Sequence, residues 1–158
     1  MIAQDITISK IYVYDEVAKT TSYTGAKSTA EGAYERIFTT DDDRLMLERF
    51  WVEACAAATS LLRDFIVTVN AQDNSNGVDI DINYEASLDM PASFDVALMP
   101  AVANDIFSFF VAYITGKWYK FTEKEETEPY MADAALSLTS AKSKLYYKTK
   151  PVRKKIAK

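Results

Sequence analysis

The chain contains no histidine. Its absence removes the commonest general base, the Ser/His and Cys/His pairings of nucleophilic catalysis, and the usual zinc ligand. The single cysteine, Cys55, cannot form an internal disulfide. It lies among alanines and reads as a small buried thiol, because a reactive cysteine needs an accessible, electropositive setting. Four glycines and four prolines in 158 residues argue for long regular elements rather than many turns. No glycine-rich phosphate loop is present. No uncharged apolar run approaches the roughly 18 residues of a membrane span; the longest, Ile106 to Ile114, covers nine. The opening Met1-Ile2-Ala3-Gln4-Asp5 lacks the basic start and apolar core of a signal peptide. These absences lead to the expectation of a protein that stays, or assembles, in a reducing cytoplasm, with no catalytic, cofactor or metal residues.

What is present is an apolar, aromatic and electrically divided chain. Apolar residues make up 49% and aromatics 13%, enough for one domain with a sizeable core. The net charge of −5 conceals two segments of opposite sign. All 23 acidic residues precede position 134, while Lys142, Lys144, Lys148, Lys150, Arg153, Lys154, Lys155 and Lys158 follow it with no acid among them. The last 25 residues thus carry +8. The remaining ten cations leave the rest at −13. Such asymmetry bears on partners rather than on fold.

The clearest element is a helix over Thr40 to Phe65. Leu47, Phe50, Ala54, Ala58, Leu61 and Phe65 recur at steps of three and four, and Trp51, Ala57 and Leu62 widen the stripe to a core-facing width. Thr40 is suited to cap it, and Asp41 to Asp43 suit the positive end of its dipole. We expect the rest of the chain to be organised around this helix. Before it, Ile6 and Ile8 alternate with polar residues as in a short strand. Ile11, Tyr12, Val13 and Val17 fit a strand or a helix; a helix from about Ile11 to Thr24, stopped by Gly25, is favoured, although Thr20 to Thr24 are poor helix formers. Ala26 to Thr39 reads as a connection.

After the central helix the period changes from 3.6 to 2. Val67, Val69 and Ala71, then Val78, Ile80, Ile82 and Tyr84, alternate with polar residues around Asn76-Gly77, the strongest two-residue hairpin signal. A turn there places Val69 opposite Tyr84, Ala71 opposite Ile82 and Thr68 opposite Glu85. One face is then apolar and the other acidic. The apolar face needs a partner, and we expect the hairpin to project from the body toward a neighbouring subunit. Asp73 to Gly77 hints at a calcium loop, but Val78 and Tyr84 fall where glycine and glutamate are required, so a metal is rejected. Beyond Pro91, Ser93 or Asp95 can cap a short turn and Pro100 suits a new helix carrying Val102, Ile106, Phe109, Phe110 and Tyr113. A last helix, opening at Thr122-Glu123-Lys124-Glu125 or at Glu128-Pro129, presents Met131, Ala134, Ala135, Leu138, Ala141 and Leu145, and Pro151 ends it. The fold class is mainly α: a small bundle of three to four helices with one inserted β-hairpin at about 66–86. The domain spans 1–150, and residues 151–158 form a basic tail.

That tail is the functional lead. It reads as a solvated end, or as a segment that contacts phosphates or an acidic protein surface. Lys148, Lys150, Arg153, Lys154, Lys155 and Lys158 are the candidate partner-binding residues. Tyr146 and Tyr147 are the only aromatics among them, too few for sequence-specific base reading.

Thr40-Asp41-Asp42-Asp43 with Leu45 and Leu47, the run Glu53-Ala54-Cys55-Ala56-Ala57-Ala58 leading to Leu61 and Leu62, and the stretch from Leu98-Met99-Pro100-Ala101-Val102-Ala103 to Phe110-Val111-Ala112-Tyr113 together resemble the small head–tail connector (adaptor) proteins of tailed bacteriophages. The resemblance covers about residues 38–120; the N-terminal segment and last helix depart from it. It implies a non-enzymatic structural virion protein of the phage neck, forming a homo-oligomeric ring between portal and tail around the DNA channel. Portal and tail or neck proteins would be its partners, with non-specific contact to DNA and none to membrane, and assembly would occur in the bacterial host cytoplasm. The alternative is a small non-enzymatic regulatory module that binds nucleic acid or protein through the basic tail. An enzyme with an unseen carboxylate site ranks last.

Overall fold

A computed structural model describes residues 2–27, 43–70, 83–122 and 124–148. It is mainly helical, with four helices and a small antiparallel sheet, as the sequence pattern predicts. In chain order the elements are β1 (Ile2–Ile8), α1 (Lys10–Lys27), α2 (Arg44–Leu62), β2 (Ile66–Val69), β3 (Tyr84–Met90), α3 (Met99–Thr122) and α4 (Thr127–Leu145), with 3-10 turns leading into α3 and α4.

β3 is the middle strand, in the order β1-β3-β2. Its alternation is complete: Tyr84, Ala86, Leu88 and Met90 are all buried. β1 pairs with it antiparallel, Ile8 opposite Tyr84 and Ile6 opposite Ala86, which puts both isoleucines on the same inner face. The short alternation at the N-terminus is therefore a full strand, and it fills the sheet edge that a lone hairpin would leave open.

The hairpin differs from its expected form in register and in burial. Val69 lies opposite Ala86 rather than Tyr84, and Thr68 opposite Ser87 rather than Glu85, with an irregularity between Ile66 and Thr68. Asn70 fixes this offset: its backbone N–H donates to the Glu85 carbonyl at 3.0 Å, its Oδ1 accepts from the Glu85 N–H at 2.8 Å, and its Nδ2 donates to the Asn83 carbonyl at 2.6 Å. Val67 and Val69 face solvent, so the apolar side of β2 is not buried, whereas that of β3 lies in the core of the domain. The expected turn at Asn76-Gly77, the 71–82 pairings and the rejected calcium loop lie outside the described residues.

α1 starts one residue earlier than expected and continues through Gly25 to Lys27, so Gly25 is not a stop. Ser9 begins it: the Ser9 carbonyl accepts the first helical bond from Val13, and Asn83, from the start of β3, accepts the Lys10 N–H at 3.1 Å. The connection from position 28 to 42, with Thr40 and its capping role, lies outside the described residues. α2 begins at Arg44, later than the acidic run implies, with Asp43 at the cap position. It ends at Leu62 in a turn that carries Phe65 into the core.

The hub of the fold is α3 rather than α2. It packs against α1, α2, α4 and β1. Asp95 caps the turn before it, accepting from the Ala97 N–H at 3.1 Å, and Pro100 sits in its first turn, where no backbone donor is required. Over Val96–Thr122 this segment is long and apolar enough, by length and composition, to cross a membrane, a property hidden from a search for uninterrupted runs by Asp105, Lys117 and Lys120. Part of its apolar surface is covered by the core: Val102, Ile106, Phe110 and Ile114 are fully buried, while Phe107 and Val111 are half-buried and Phe121 is exposed. Gly116 lets α4 approach closely; a Cβ there would lie 2.7 Å from Met131 Sδ.

α4 starts at Thr127, which favours the Glu128-Pro129 opening over the capping box at Thr122, whose Glu123 lies outside the described residues. Ala134, Ala141 and Leu145 are buried as expected; Ala135 is exposed. The helix ends at Leu145, well before Pro151, with Tyr146 as its cap. The proline therefore does not set the end.

Candidate partner-binding surface and a buried polar cluster

The C-terminal root is fastened by specific contacts. Tyr146 packs against Phe65 with ring centroids 5.4 Å apart, and its hydroxyl donates to Asp64 Oδ2 at 2.7 Å. That hydrogen bond pushes the Tyr146 phenol above its ordinary pKa, keeping it protonated as the donor. Lys148 then forms a single β-bridge with buried Phe94. Of the six candidate partner-binding residues, Lys148 is exposed at this root; Lys150, Arg153, Lys154, Lys155 and Lys158 lie outside the described residues. Not all the basic segment is available to a partner. Lys144 pairs with Asp105 at 2.6 Å, where Ser140 also donates at 2.8 Å, and so braces α4 against α3. Tyr146 is likewise engaged through its hydroxyl, while its ring and that of Tyr147 beside Lys148 are both exposed.

A second cluster escaped the sequence reading. Lys10 is 2% exposed and Glu48 8%, and the two form an ion pair inside the domain. Tyr14 donates to Glu48 Oε1 at 3.0 Å, and the Lys10 ammonium lies 5.7 Å from the Trp51 ring centre and 5.9 Å from that of Tyr14. The signal was positional. Lys10 and Tyr14 are four apart on α1, and Glu48, Trp51 and Cys55 share one face of α2 by their spacing. A glutamate on that face requires a buried cation or donor opposite it.

Cys55 borders this cluster. Burial pushes its thiol well above the ordinary range, Lys10 opposing and Glu48 adding to the shift. Nearby, the Thr59 hydroxyl meets that of Tyr84 at 3.0 Å and donates to the Cys55 carbonyl at 2.9 Å. Burial raises the Tyr84 phenol as well. Burial thus keeps the Cys55 thiol and the Tyr84 phenol protonated, and the Thr59–Tyr84 hydrogen bond ties α2 to β3. We expect a native-state thiol reagent to modify Cys55 only as fast as the domain opens. Cys55→Ala should be nearly neutral, and Cys55→Ser should cost about 1–3 kcal/mol for a buried hydroxyl. Rapid labelling of the folded protein would contradict this placement.

Clefts lie on the surface of the described residues. One, of about 500 Å³, lies over the polar face of the sheet, lined by Asp5, Thr7, Thr68, Asn70 and Glu85. Another, of about 410 Å³, runs between α1, α3 and α4. No group of three or more potential metal ligands occurs among the described residues. Compared with known protein families, curated proteins and solved structures, the chain shows no match.

Proposed function

We propose that this chain is a structural virion protein of the phage neck, one subunit of a ring between portal and tail around the DNA channel, with no enzymatic role. The observation that carries the reading is the charge division: a −13 body and a +8 terminal segment on one chain. The root of that segment is pinned at Tyr146 and Lys148, so a docking arm would leave the body from a fixed point. Exposed Leu45, Val67 and Phe121 add apolar surface of the kind that subunit contacts cover.

The test is assembly. Native mass spectrometry and negative-stain imaging of the intact chain should show discrete rings, or rings formed on a portal. Truncation after Pro151 removes Arg153, Lys154, Lys155 and Lys158. It should leave helicity and melting temperature unchanged while abolishing docking, and added salt should weaken docking of the intact protein. Docking by the truncated chain at low salt would remove the support for this reading. A monomer that binds DNA with a steep salt dependence would favour the regulatory module instead.

A further inference from the structure

The cleft between α1, α3 and α4 has an apolar floor and acidic margins. Phe107 and Val111 from α3 are half-buried in it, Tyr130 also lines it, and Leu136 from α4 is 67% exposed along it. Glu16 on α1 and Asp133 on α4 lie on its margins. Glu16 also faces Lys19 at 3.6 Å, a solvated pair too weak to neutralise the site. A matching ligand has two apolar side chains flanked by cations.

The chain carries such a segment. In Pro151-Val152-Arg153-Lys154-Lys155-Ile156, the apolar Val152 and Ile156 are four positions apart, with three consecutive cations between them. A spacing of four returns both side chains to one side in a helix and in an extended strand alike. We propose that the cleft between α1, α3 and α4 receives residues 151–158 of a second copy of this chain, Val152 and Ile156 entering against Phe107, Val111 and Leu136 while Arg153 to Lys155 meet Glu16 and Asp133. The segment comes from another copy because of where its own root stands. From Leu145 back to Asp133 is roughly 18 Å of helix, and a tail returning along that path would pass the exposed cation Lys142, Lys144 being paired with Asp105. A contact between two different surfaces of identical copies is heterologous and propagates into a ring or a filament. The inference rests on the tail being a docking segment, and it adds the surface that receives it.

Cysteine bridging tests it in the full-length chain, since buried Cys55 is a poor competitor. Leu136→Cys and Ile156→Cys chains are purified separately, mixed and mildly oxidised. The expected result is a heterodimer whose bridge maps to positions 136 and 156. It should form at least tenfold faster than with Leu45→Cys, an equally exposed position on α2, and should slow with added salt or with Glu16→Lys plus Asp133→Lys. Ser137→Cys provides a second cleft position should Leu136→Cys fail to fold. Equal rates at the cleft and at position 45 overturn the proposal. So does a bridge formed only within a doubly substituted chain. Rings without cleft bridging would sink this inference and leave the neck reading standing; cleft bridging without rings would do the reverse.

Discussion

Glu48→Ala should lower the stability of the domain by about 3–5 kcal/mol, the usual cost of breaking a buried ion pair from one side. The reason is desolvation. Removing the carboxylate leaves the Lys10 ammonium in a site with almost no access to water, and takes the acceptor from Tyr14. The loss would reach beyond one pair, because Lys10 opens α1 and its backbone N–H is bound by Asn83 at the start of β3. The control is a double substitution, Lys10→Met with Glu48→Leu. It removes both charges and keeps apolar volume, so it should recover most of the loss or exceed the parent. Guanidinium midpoints of the three variants decide the matter. A Glu48→Ala midpoint equal to that of the parent would mean the pair is solvated in solution.

Trp51→Ala should cost a comparable 3–5 kcal/mol, by a different mechanism. Trp51 is where four elements meet: its ring lies 4.8 Å from Phe110 of α3 and 6.2 Å from Tyr14 of α1, and Phe110 lies 5.8 Å from Tyr84 of β3. Trp51 is fully buried among these rings, so truncation leaves a cavity between packed elements. Trp51→Phe should recover about half the loss. Combined with Glu48→Ala, the effects should not add, because the Lys10 ammonium faces the Trp51 ring. Strictly additive denaturation energies would show that the polar and aromatic clusters are energetically separate.

The parts of this fold that were legible in sequence are those governed by a single period. The apolar stripe of α2 appears as read, because burial on one face dictates residue type at fixed spacing. Of the alternation expected over Val78 to Tyr84 only Tyr84 falls within β3, whose buried Ala86, Leu88 and Met90 carry the same period past the expected end of the hairpin. What was not legible depends on pairs far apart in sequence. The sheet register is offset by the bonds of Asn70 to Glu85 and Asn83, which a turn rule does not anticipate. The end of α4 at Leu145 follows from Tyr146 reaching Asp64, 82 positions away, and overrides the proline that local rules favour. The spacing of Glu48 places it on the inner face of α2, but that Lys10 is its partner depends on how α1 packs. The proposed partner-binding segment was legible only as charge, and the contacts that hold its root, those of Tyr146 and the Lys148 bridge, are tertiary.

The placement of β1 has a consequence for biosynthesis. Ile2 pairs with Met90, 88 positions later, and Ile8 with Tyr84. At about 5–20 residues per second, the ribosome takes roughly 4–18 s to emit that partner after β1 itself. Throughout this interval Ile6 and Ile8 have no strand to cover them, and α1 lacks the Asn83 acceptor at its start. The nascent chain therefore presents an apolar edge until β3 emerges, which makes this protein a candidate client for chaperones that act at the exit tunnel. Slow codons that delay the exit of residues 84–90 would lengthen that exposure and lower soluble yield; slow codons read after those residues have left the tunnel would not.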